Sequence, residues 1–146
     1  DQGIVHRDVK PSNIMVSGAK ALLMDFGIAR ELDAQELTLP GQAVGTPGYM
    51  APEQILGQAL DTRADLYSLG VVLYECCCGS LPYQAETSFE LITKQLEQEP
   101  KPLESGPFEL RALVMRLLSR DPAARPGPAG ELARQLAEWS QRLQAG

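Results

Sequence analysis

Apolar residues recur with helical spacing in the part of the chain that follows Pro52. In residues 109–119 they stand at i, i+3, i+4, i+7 and i+8, the spacing of one helical face: Leu110, Leu113, Val114, Leu117 and Leu118. A second stripe follows Pro128 and consists of Leu132, Leu136, Trp139 and Leu143. The two stripes predict two amphipathic helices, each with its apolar face toward a core.

Two further segments are predicted to be helical. Residues 65–78 ("DLYSLGVVLYECCC") are apolar nearly all round, which predicts a helix buried on most sides. Residues 89–98 indicate an amphipathic helix that has Thr87 or Ser88 as its N-cap and ends before Pro100. The three consecutive cysteines at the end of the buried helix are expected to be small core residues, since no spacing typical of zinc ligands is present.

Short β-like runs precede the helices, at residues 3–5, 13–16 and 21–24. Ser17-Gly18-Ala19-Lys20 joins the last two, which predicts a hairpin turn. Residues 31–49 are polar and without periodicity, which predicts a long loop, and long loops inside a compact domain are usually functional. The expected fold class is therefore mainly α (α+β), with a short β hairpin at one edge.

Composition narrows the class of protein. A length of 146 residues suits one domain with a real core. The net charge of −6 disfavours nucleic acid as a partner, which usually needs a basic face. The first residues have no signal-peptide pattern, and the longest apolar stretch, 66–78, is too short and too interrupted for a membrane segment. Adjacent cysteines rarely bridge one another, so a reducing, cytosolic setting is expected.

Two polar clusters, "HRDVKPSN" and "MDFGIAR", flank the predicted hairpin. Magnesium prefers oxygen ligands, and a carboxylate (Asp25) with an amide oxygen (Asn13) on neighbouring strand ends can supply two of them. A second carboxylate, Asp8, can orient an attacking hydroxyl and take its proton, while Lys10 can balance charge on a transferring phosphate. Each residue alone would indicate only a turn or a cap, whereas their joint occurrence argues against that simpler interpretation.

The order of five motifs resembles the eukaryotic-type serine/threonine protein kinase family, in its bacterial form. The motifs are His6-Arg7-Asp8, Lys10, Asn13, Asp25-Phe26-Gly27 and Ala51-Pro52-Glu53. A single triplet recurs by chance, but five motifs in this order and spacing are specific. The resemblance implies transfer of the γ-phosphate of ATP to serine or threonine hydroxyls of protein substrates, with Mg²⁺ as the metal.

The resemblance also implies the role of each polar residue. Asp8 is the catalytic base, Asn13 and Asp25 hold magnesium, and Lys10 contacts the γ-phosphate, so that Lys10, Asn13 and Asp25 together bind the nucleotide. A lysine two residues after Asp8 is typical of the serine/threonine branch. In "GTPGYMAPEQ", Thr46 matches the threonine that hydrogen-bonds the catalytic aspartate and lysine.

Arg7 matches an arginine that pairs with a phosphate on the activation loop, a task suited to the planar guanidinium. The loop corresponds to residues 31–44, and Thr38 is its only hydroxyl residue. Thr38 is therefore the candidate phosphorylation site. Two alternatives stay open, namely that Thr38 is an exposed loop residue without a role, and that the acidic residues of the loop partly stand in for a phosphate.

Other matches are architectural. His6 is expected to pack against Phe26 and Gly27 of the Asp-Phe-Gly segment. Asp65 matches an aspartate that hydrogen-bonds the backbone around the His-Arg-Asp turn, and a helix N-cap is compatible with the same position. The remaining match is the family's ion pair between the Ala-Pro-Glu segment and the late helices, here Glu53 and Arg125.

The resemblance covers residues 3 to about 136, and the sequence has neither a G-x-G-x-x-G loop nor a V-A-I-K lysine. We therefore expect residues 1–146 to be a partial kinase domain, the C-lobe, which needs an upstream N-lobe and is inactive alone. The expected location is cytoplasmic, either free or as the cytoplasmic part of a membrane-anchored receptor kinase. The alternative function is a non-catalytic protein-binding module that presents the helices near Phe89 and Leu117.

Overall fold

The computed structural model describes residues 4–24 and 47–146. Within these ranges an antiparallel hairpin precedes five helices. The strands are β1 (Ile14–Ser17) and β2 (Lys20–Leu23), and the helices are α1 (Pro52–Ile55), α2 (Thr62–Cys78), α3 (Ser88–Glu97), α4 (Phe108–Leu117) and α5 (Ala129–Ala145). Short 3-10 turns lie at Pro11–Asn13, Pro47–Tyr49 and Pro122–Ala124. A mainly helical chain with a small sheet confirms the predicted fold class.

The hairpin pairs Ile14 with Leu23 and, next to the turn, Ser17 with Lys20. Gly18 in the turn has a φ of +59°, a conformation that glycine adopts without strain. The strand predicted at residues 3–5 is wrong where the structure describes it, because Ile4 and Val5 belong to no strand. The backbone that follows them bonds to a side chain of α2 instead of to a neighbouring strand.

Helix α2 runs through the centre of the core. Its N-cap is Asp61, whose side chain accepts a hydrogen bond from the Arg63 amide, and Gly79 ends the helix in the left-handed conformation with a φ of +78°. Most of the helix surface is covered, as predicted. Its buried residues are Ala64, Leu66, Tyr67, Ser68, Gly70, Val71, Val72 and Tyr74.

Helices α2 and α4 pack closely at Gly70. A Cβ atom on Gly70 would lie 2.7 Å from the Leu117 Cβ and 3.3 Å from the Leu118 Cδ2, so the contact depends on the absent side chain. The predicted stripe of α4 faces this contact, with Leu113, Val114, Leu117 and Leu118 buried. Leu117 itself is fully buried and cannot contact a partner, whereas Phe89 on α3, the other residue named for a docking surface, is 81% exposed.

Helices α3 and α5 complete the helical layer. Thr87 caps α3 by accepting a hydrogen bond from the Glu90 amide, one of the two predicted N-caps. On α5, Leu132 is buried and both Leu136 and Trp139 pack partly against the core. The predicted apolar stripe is wrong at Leu143, which is 68% exposed because the last turns of α5 extend beyond this cluster.

The cysteines differ from the prediction of three core residues. Cys76 and Cys78 are exposed, and only Cys77 is partly buried, because the last turn of α2 extends past the core. Burial raises the pKa of the Cys77 thiol, and the two neighbouring cysteines raise it further.

Among residues 4–24 and 47–146 there is no cluster of side chains that could hold a metal through His, Cys, Asp and Glu alone. None of the helices formed by these residues is both long and apolar enough to cross a membrane.

Candidate active site

The Asp65 carboxylate on α2 accepts hydrogen bonds from the backbone of the loop that leads into Asp8. The Asp65 Oδ2 accepts a hydrogen bond from the His6 amide at 2.8 Å, and its Oδ1 accepts one from the Arg7 amide at 2.9 Å. Asp61, and not Asp65, is the N-cap of α2. Asp65 is thus free to use both oxygens on two successive amides, which fixes the start of the loop relative to the central helix.

The imidazole of His6 connects the loop to the end of the hairpin. His6 is buried, and its Nε2 lies 2.6 Å from the carbonyl oxygen of Met24. The Asp8 amide donates to the other ring nitrogen, Nδ1, at 3.1 Å. Because Nδ1 accepts, the ring proton is on Nε2 and is donated to Met24. The histidine therefore braces two segments that each lead to an expected site residue.

The side chains of Asp8, Lys10 and Asn13 converge within this loop. The Asn13 Nδ2 donates to the Asp8 carbonyl at 2.8 Å and to the Asp8 Oδ2 at 3.0 Å. The Lys10 Nζ lies 3.4 Å from the same Oδ2. The 3-10 turn at Pro11–Asn13 brings Asn13 back toward Asp8, because the Asn13 amide donates to the Lys10 carbonyl. The side chain of Asp8 is 28% exposed, so its carboxylate stays accessible to solvent.

The end of strand β2 lies beside Asn13, at the open end of the hairpin. The Met24 amide donates to the Asn13 carbonyl at 2.8 Å, one step beyond the Ile14–Leu23 pair. The residue after Met24 is the predicted metal ligand Asp25. Asp25 lies outside the described residues, as do four other expected site residues, namely Phe26, Gly27, Thr38 and Thr46.

The turn at Pro47–Tyr49 is anchored by side chains of α2 and α3. The Gln95 Nε2 donates to the Pro47 carbonyl at 2.9 Å, and the Ser68 hydroxyl donates to the Tyr49 carbonyl at 2.6 Å. The Tyr49 hydroxyl donates a short hydrogen bond to the Glu75 carboxylate. Burial and this carboxylate together raise the pKa of Tyr49 to about 12. The turn is therefore held rigidly against the helical core.

Helix α1 is fixed by a buried ion pair. The Arg125 guanidinium donates to both carboxylate oxygens of Glu53, at 2.6 and 2.9 Å, and both residues are buried. The same guanidinium donates to the carbonyls of Ser119 and Arg63 at 2.9 Å and lies 5.1 Å from the centre of the Tyr67 ring. The pair expected from the resemblance is thus present, and its remaining donors are satisfied.

Three contacts of this region were not predicted from the sequence. They involve Gln54, which donates its Nε2 to the Arg7 carbonyl at 2.8 Å, Gln95 and the Tyr49–Glu75 pair. Only Gln95 carried a signal, since it is a polar residue on the inner face of amphipathic α3 and is 1% exposed. An exposed-looking glutamine such as Gln54 has no periodic or charge signature that separates it from surface residues.

Comparison with known proteins agrees with these motifs. The family model described as "Protein kinase domain" matches residues 1–138. Serine/threonine-protein kinase pkn2 of Myxococcus xanthus is 40% identical over 99% of this chain, which covers 19% of that protein. The kinase pkn3 of the same organism is 40% identical over 87% of this chain, and PknB of Mycobacterium leprae is 39% identical over 92%.

The chain spans about a fifth to a quarter of the length of these relatives, from 19% of pkn2 to 26% of pkn3. The family model nevertheless covers nearly all of the chain, including the loop of Asp8, the hairpin and all five helices in whole or in part. The chain belongs to the protein kinase family.

Proposed function

We propose that this chain supplies the C-lobe half of a serine/threonine protein kinase active site. The proposed reaction transfers the γ-phosphate of ATP to serine or threonine hydroxyls of protein substrates. The observation that carries the proposal is the convergence on the Asp8 carboxylate, which Asn13 contacts at 3.0 Å and Lys10 at 3.4 Å. The loop that bears these groups is in turn tied to α2 through Asp65.

Asp8 is the proposed base. Its carboxylate accepts the hydroxyl proton as the substrate oxygen bonds to the γ-phosphorus, while the bond from that phosphorus to the β–γ bridging oxygen breaks and ADP leaves. Lys10 stands beside Asp8 and would neutralise charge on the transferring phosphoryl group. Asn13 restricts the rotation of the Asp8 carboxylate by its contact with Oδ2. Most of the proposed rate enhancement is therefore positioning and charge compensation.

The donor set fits magnesium. Both hydrogen bonds of the Asn13 side chain to Asp8 use its NH2 group, so its amide oxygen is the atom that Asn13 would present to a cation. Asp25 follows Met24, whose amide is bonded to the Asn13 carbonyl, and would supply a carboxylate oxygen. Both are hard oxygen ligands of the kind that Mg²⁺ prefers, and the bound ion would offset charge on the ATP phosphates.

Activity is proposed to depend on phosphorylation of Thr38. The Arg7 Nε is buried and has no hydrogen-bond partner among residues 4–24 and 47–146, so the guanidinium keeps donor capacity for an incoming anion. A phosphate on Thr38 would supply that anion, and Thr46 would bond the Asp8–Lys10 pair. Thr38 and Thr46 lie outside the described residues, so these two roles rest on the family resemblance.

The adenine and the phosphates are proposed to need a kinase N-lobe as well. The 146 residues contain neither the G-x-G-x-x-G loop nor the V-A-I-K lysine that this family uses on ATP. We therefore expect no phosphoryl transfer from this stretch of chain by itself with Mg²⁺ and ATP. Substantial transfer by these residues alone would contradict the proposed division of the site between two lobes.

The central test replaces Asp8 by Asn in the full-length protein. Phosphorylation of a generic protein substrate should be nearly abolished, because the amide cannot accept the hydroxyl proton. The matched control is Asp121→Asn, since Asp121 is an exposed N-cap and Asn caps equally well. If Asp8→Asn phosphorylates the substrate as fast as the control, Asp8 is not the base. If the parent protein and the control transfer no phosphate, the kinase function is wrong and a non-catalytic binding module, with Phe89 as its exposed apolar residue, replaces it.

A further inference from the structure

Gln54 joins the helix of the Ala-Pro-Glu segment to the loop of Asp8. It lies on α1, and its Nε2 donates to the carbonyl oxygen of Arg7 at 2.8 Å, across 47 positions of sequence. The Arg7 carbonyl is part of the peptide group that joins Arg7 to Asp8. None of the site roles proposed above uses Gln54.

The peptide group between Arg7 and Asp8 is held at both of its polar ends. Gln54 donates to its oxygen at 2.8 Å, and its N–H, the amide of Asp8, donates to His6 Nδ1 at 3.1 Å. A peptide group is planar, so fixing its oxygen and its nitrogen fixes its rotation. That rotation sets the direction in which the Asp8 side chain leaves the backbone, because the Asp8 Cα is part of the same plane.

The backbone at Arg7 would not keep this arrangement by itself. Arg7 has a φ of +73° and is the only non-glycine residue with a positive φ among the described residues. This region is sparsely populated for residues that have a side chain and persists where surrounding contacts determine it. The contacts at Arg7 are Asp65 on its amide and Gln54 on its carbonyl. Removal of either contact frees one side of a strained residue next to Asp8.

The other end of this connection is rigid. Gln54 follows Glu53, whose carboxylate is gripped by the Arg125 guanidinium at 2.6 and 2.9 Å. The Gln54 amide also donates to the Ala51 carbonyl at 3.0 Å within the first turn of α1. The segment from Pro47 to Ala51 leads into this turn and is itself anchored to α2 and α3. Gln54 therefore ties the loop of Asp8 to a fixed point on the segment that follows Pro47.

We propose that Gln54 is a positioning residue, which orients Asp8 through the Arg7 carbonyl and couples the Asp8 loop to the segment at residues 47–54. The proposal rests on the proposed kinase function, since it assigns Gln54 an effect on phosphoryl transfer. The proposed role requires no contact between Gln54 and the substrate. Gln54 instead limits the loop to the peptide rotation in which the carboxylate faces the attacking hydroxyl.

The test compares Gln54→Met and Gln54→Glu in the full-length protein. Methionine keeps the approximate length and removes the donor, and glutamate places an acceptor against the Arg7 carbonyl. Both variants should lower kcat about ten- to a hundredfold, since small misplacements of a catalytic group have effects of this size. The unfolding temperature should be unchanged, because Gln54 is partly exposed. KM for ATP should be unchanged as well, because the proposed role of Gln54 is to orient Asp8 and not to bind the nucleotide. Hydrogen exchange of the peptide that contains residues 6–13 should be faster than in the parent protein.

The matched controls are Gln58→Met and Gln58→Glu, because Gln58 is exposed and lies four positions further along. Their kcat and their hydrogen exchange should equal those of the parent protein. Asp8→Asn is measured beside them. Inactivity of Asp8→Asn together with normal kcat in both Gln54 variants would overturn the positioning role and leave the kinase function intact. Full activity of Asp8→Asn would overturn the role of Asp8 as the base, and with it the proposed orientation of that side chain by Gln54. Absence of phosphoryl transfer by the parent protein would overturn the kinase function itself.

The remaining outcomes also decide the proposal. A fall in kcat that is accompanied by an equal loss of thermal stability would assign Gln54 to the fold and not to the orientation of Asp8. A rise in KM for ATP with unchanged kcat would likewise contradict the proposal, because it would show an effect on nucleotide binding. Only a fall in kcat with preserved stability and faster exchange around Asp8 supports it.

Discussion

Arg125 and Glu53, 72 positions apart in sequence, meet as a bidentate ion pair inside the protein. The side chain of Arg125 is fully buried and that of Glu53 is 7% exposed. The other guanidinium bonds go to backbone carbonyls, so the pair closes a small polar network between α1, the start of α2 and the turn before α5. A network of this kind is satisfied only when both partners are present.

Removal of one partner should therefore destabilise the protein strongly. We expect Glu53→Gln or Arg125→Met to lower the free energy of unfolding by about 3–5 kcal/mol, because each leaves the other charge buried without its counterion. Denaturant titration of the full-length protein measures this change. The double variant Glu53→Gln/Arg125→Met should lose less than the sum of the two single losses, and additive losses would show that the two side chains do not act as a pair.

The contact between α2 and α4 gives a second prediction. Gly70→Ala should destabilise the protein by about 1–3 kcal/mol, because the new methyl group meets well-packed atoms in a core that cannot yield freely. The nearest of these is the Leu117 Cβ, at 2.7 Å from the added carbon. Thermal unfolding is a sufficient measurement.

The control for this prediction is Gly130→Ala on α5, where an added Cβ meets nothing within 4 Å. That substitution should leave stability unchanged or raise it by up to about 1 kcal/mol, because alanine loses less conformational freedom than glycine in a helix. If Gly70→Ala left stability unchanged or raised it as Gly130→Ala does, the close approach of Leu117 to Gly70 would not restrict the packing of the two helices.

Much of this architecture could be predicted from the sequence, because it follows from patterns within short segments. Apolar spacing indicated the three long segments that form α2, α4 and α5. The predicted strands, 13–16 and 21–24, each differ by one residue from the observed β1 and β2. Family motifs indicated the residues that meet around Asp8. The contacts through Gln54 and Gln95 could not be predicted, because they form only when distant segments dock. Gln54 carries no periodic signal, and the position of Gln95 on the inner face of α3 does not indicate its partner.

The errors in prediction have the same origin. Cys76, Cys78 and Leu143 lie in helical segments with the expected pattern, yet they are exposed because their helices extend beyond the core they face. Periodicity determines which face of a helix is apolar, but the length of the covered part depends on the neighbouring elements. Ile4 shows the same limit for a strand, since an apolar run without a paired neighbour adopts another conformation.

The Tyr49–Glu75 hydrogen bond predicts a loss of stability at alkaline pH. The pKa of Tyr49 is raised from 10.0 to about 12, so the folded protein holds the phenol proton more tightly than the unfolded chain. The stabilising effect is thus fully present below pH 10 and is lost as the pH rises through about 12. Tyr49→Phe should remove this part of the pH dependence, and it should lower stability at neutral pH by about 0.5–1.5 kcal/mol.

Denaturant titrations of the parent protein and of Tyr49→Phe across this pH range measure the difference. Tyr83 also has a pKa raised to about 12, mainly by burial, so Tyr83→Phe is the comparison that isolates the contribution of Glu75. Its hydroxyl donates to the backbone carbonyl of Gln98 and not to a carboxylate. An alkaline stability profile of Tyr49→Phe that coincides with that of the parent protein would contradict the assignment.

Phosphorylation of Thr38 is the prediction that links Arg7 to regulation. In the full-length protein, Thr38→Ala should lower kinase activity about tenfold or more, because a hydrogen bond to a charged group contributes about 1.5–3 kcal/mol to the state it stabilises. Arg7 is the proposed partner of the phosphate, and its buried Nε has no partner within the part of the chain that the structure describes. Arg7→Lys should keep the charge but lose the bidentate hydrogen bonding, so it should weaken activation without abolishing it.

Mass spectrometry of the active protein should find the phosphate on Thr38. The control is Thr93→Ala, which alters an exposed hydrogen bond within α3. Equal activities of Thr38→Ala and Thr93→Ala would mean that Arg7 has another partner or that the acidic residues of the loop take the place of the phosphate.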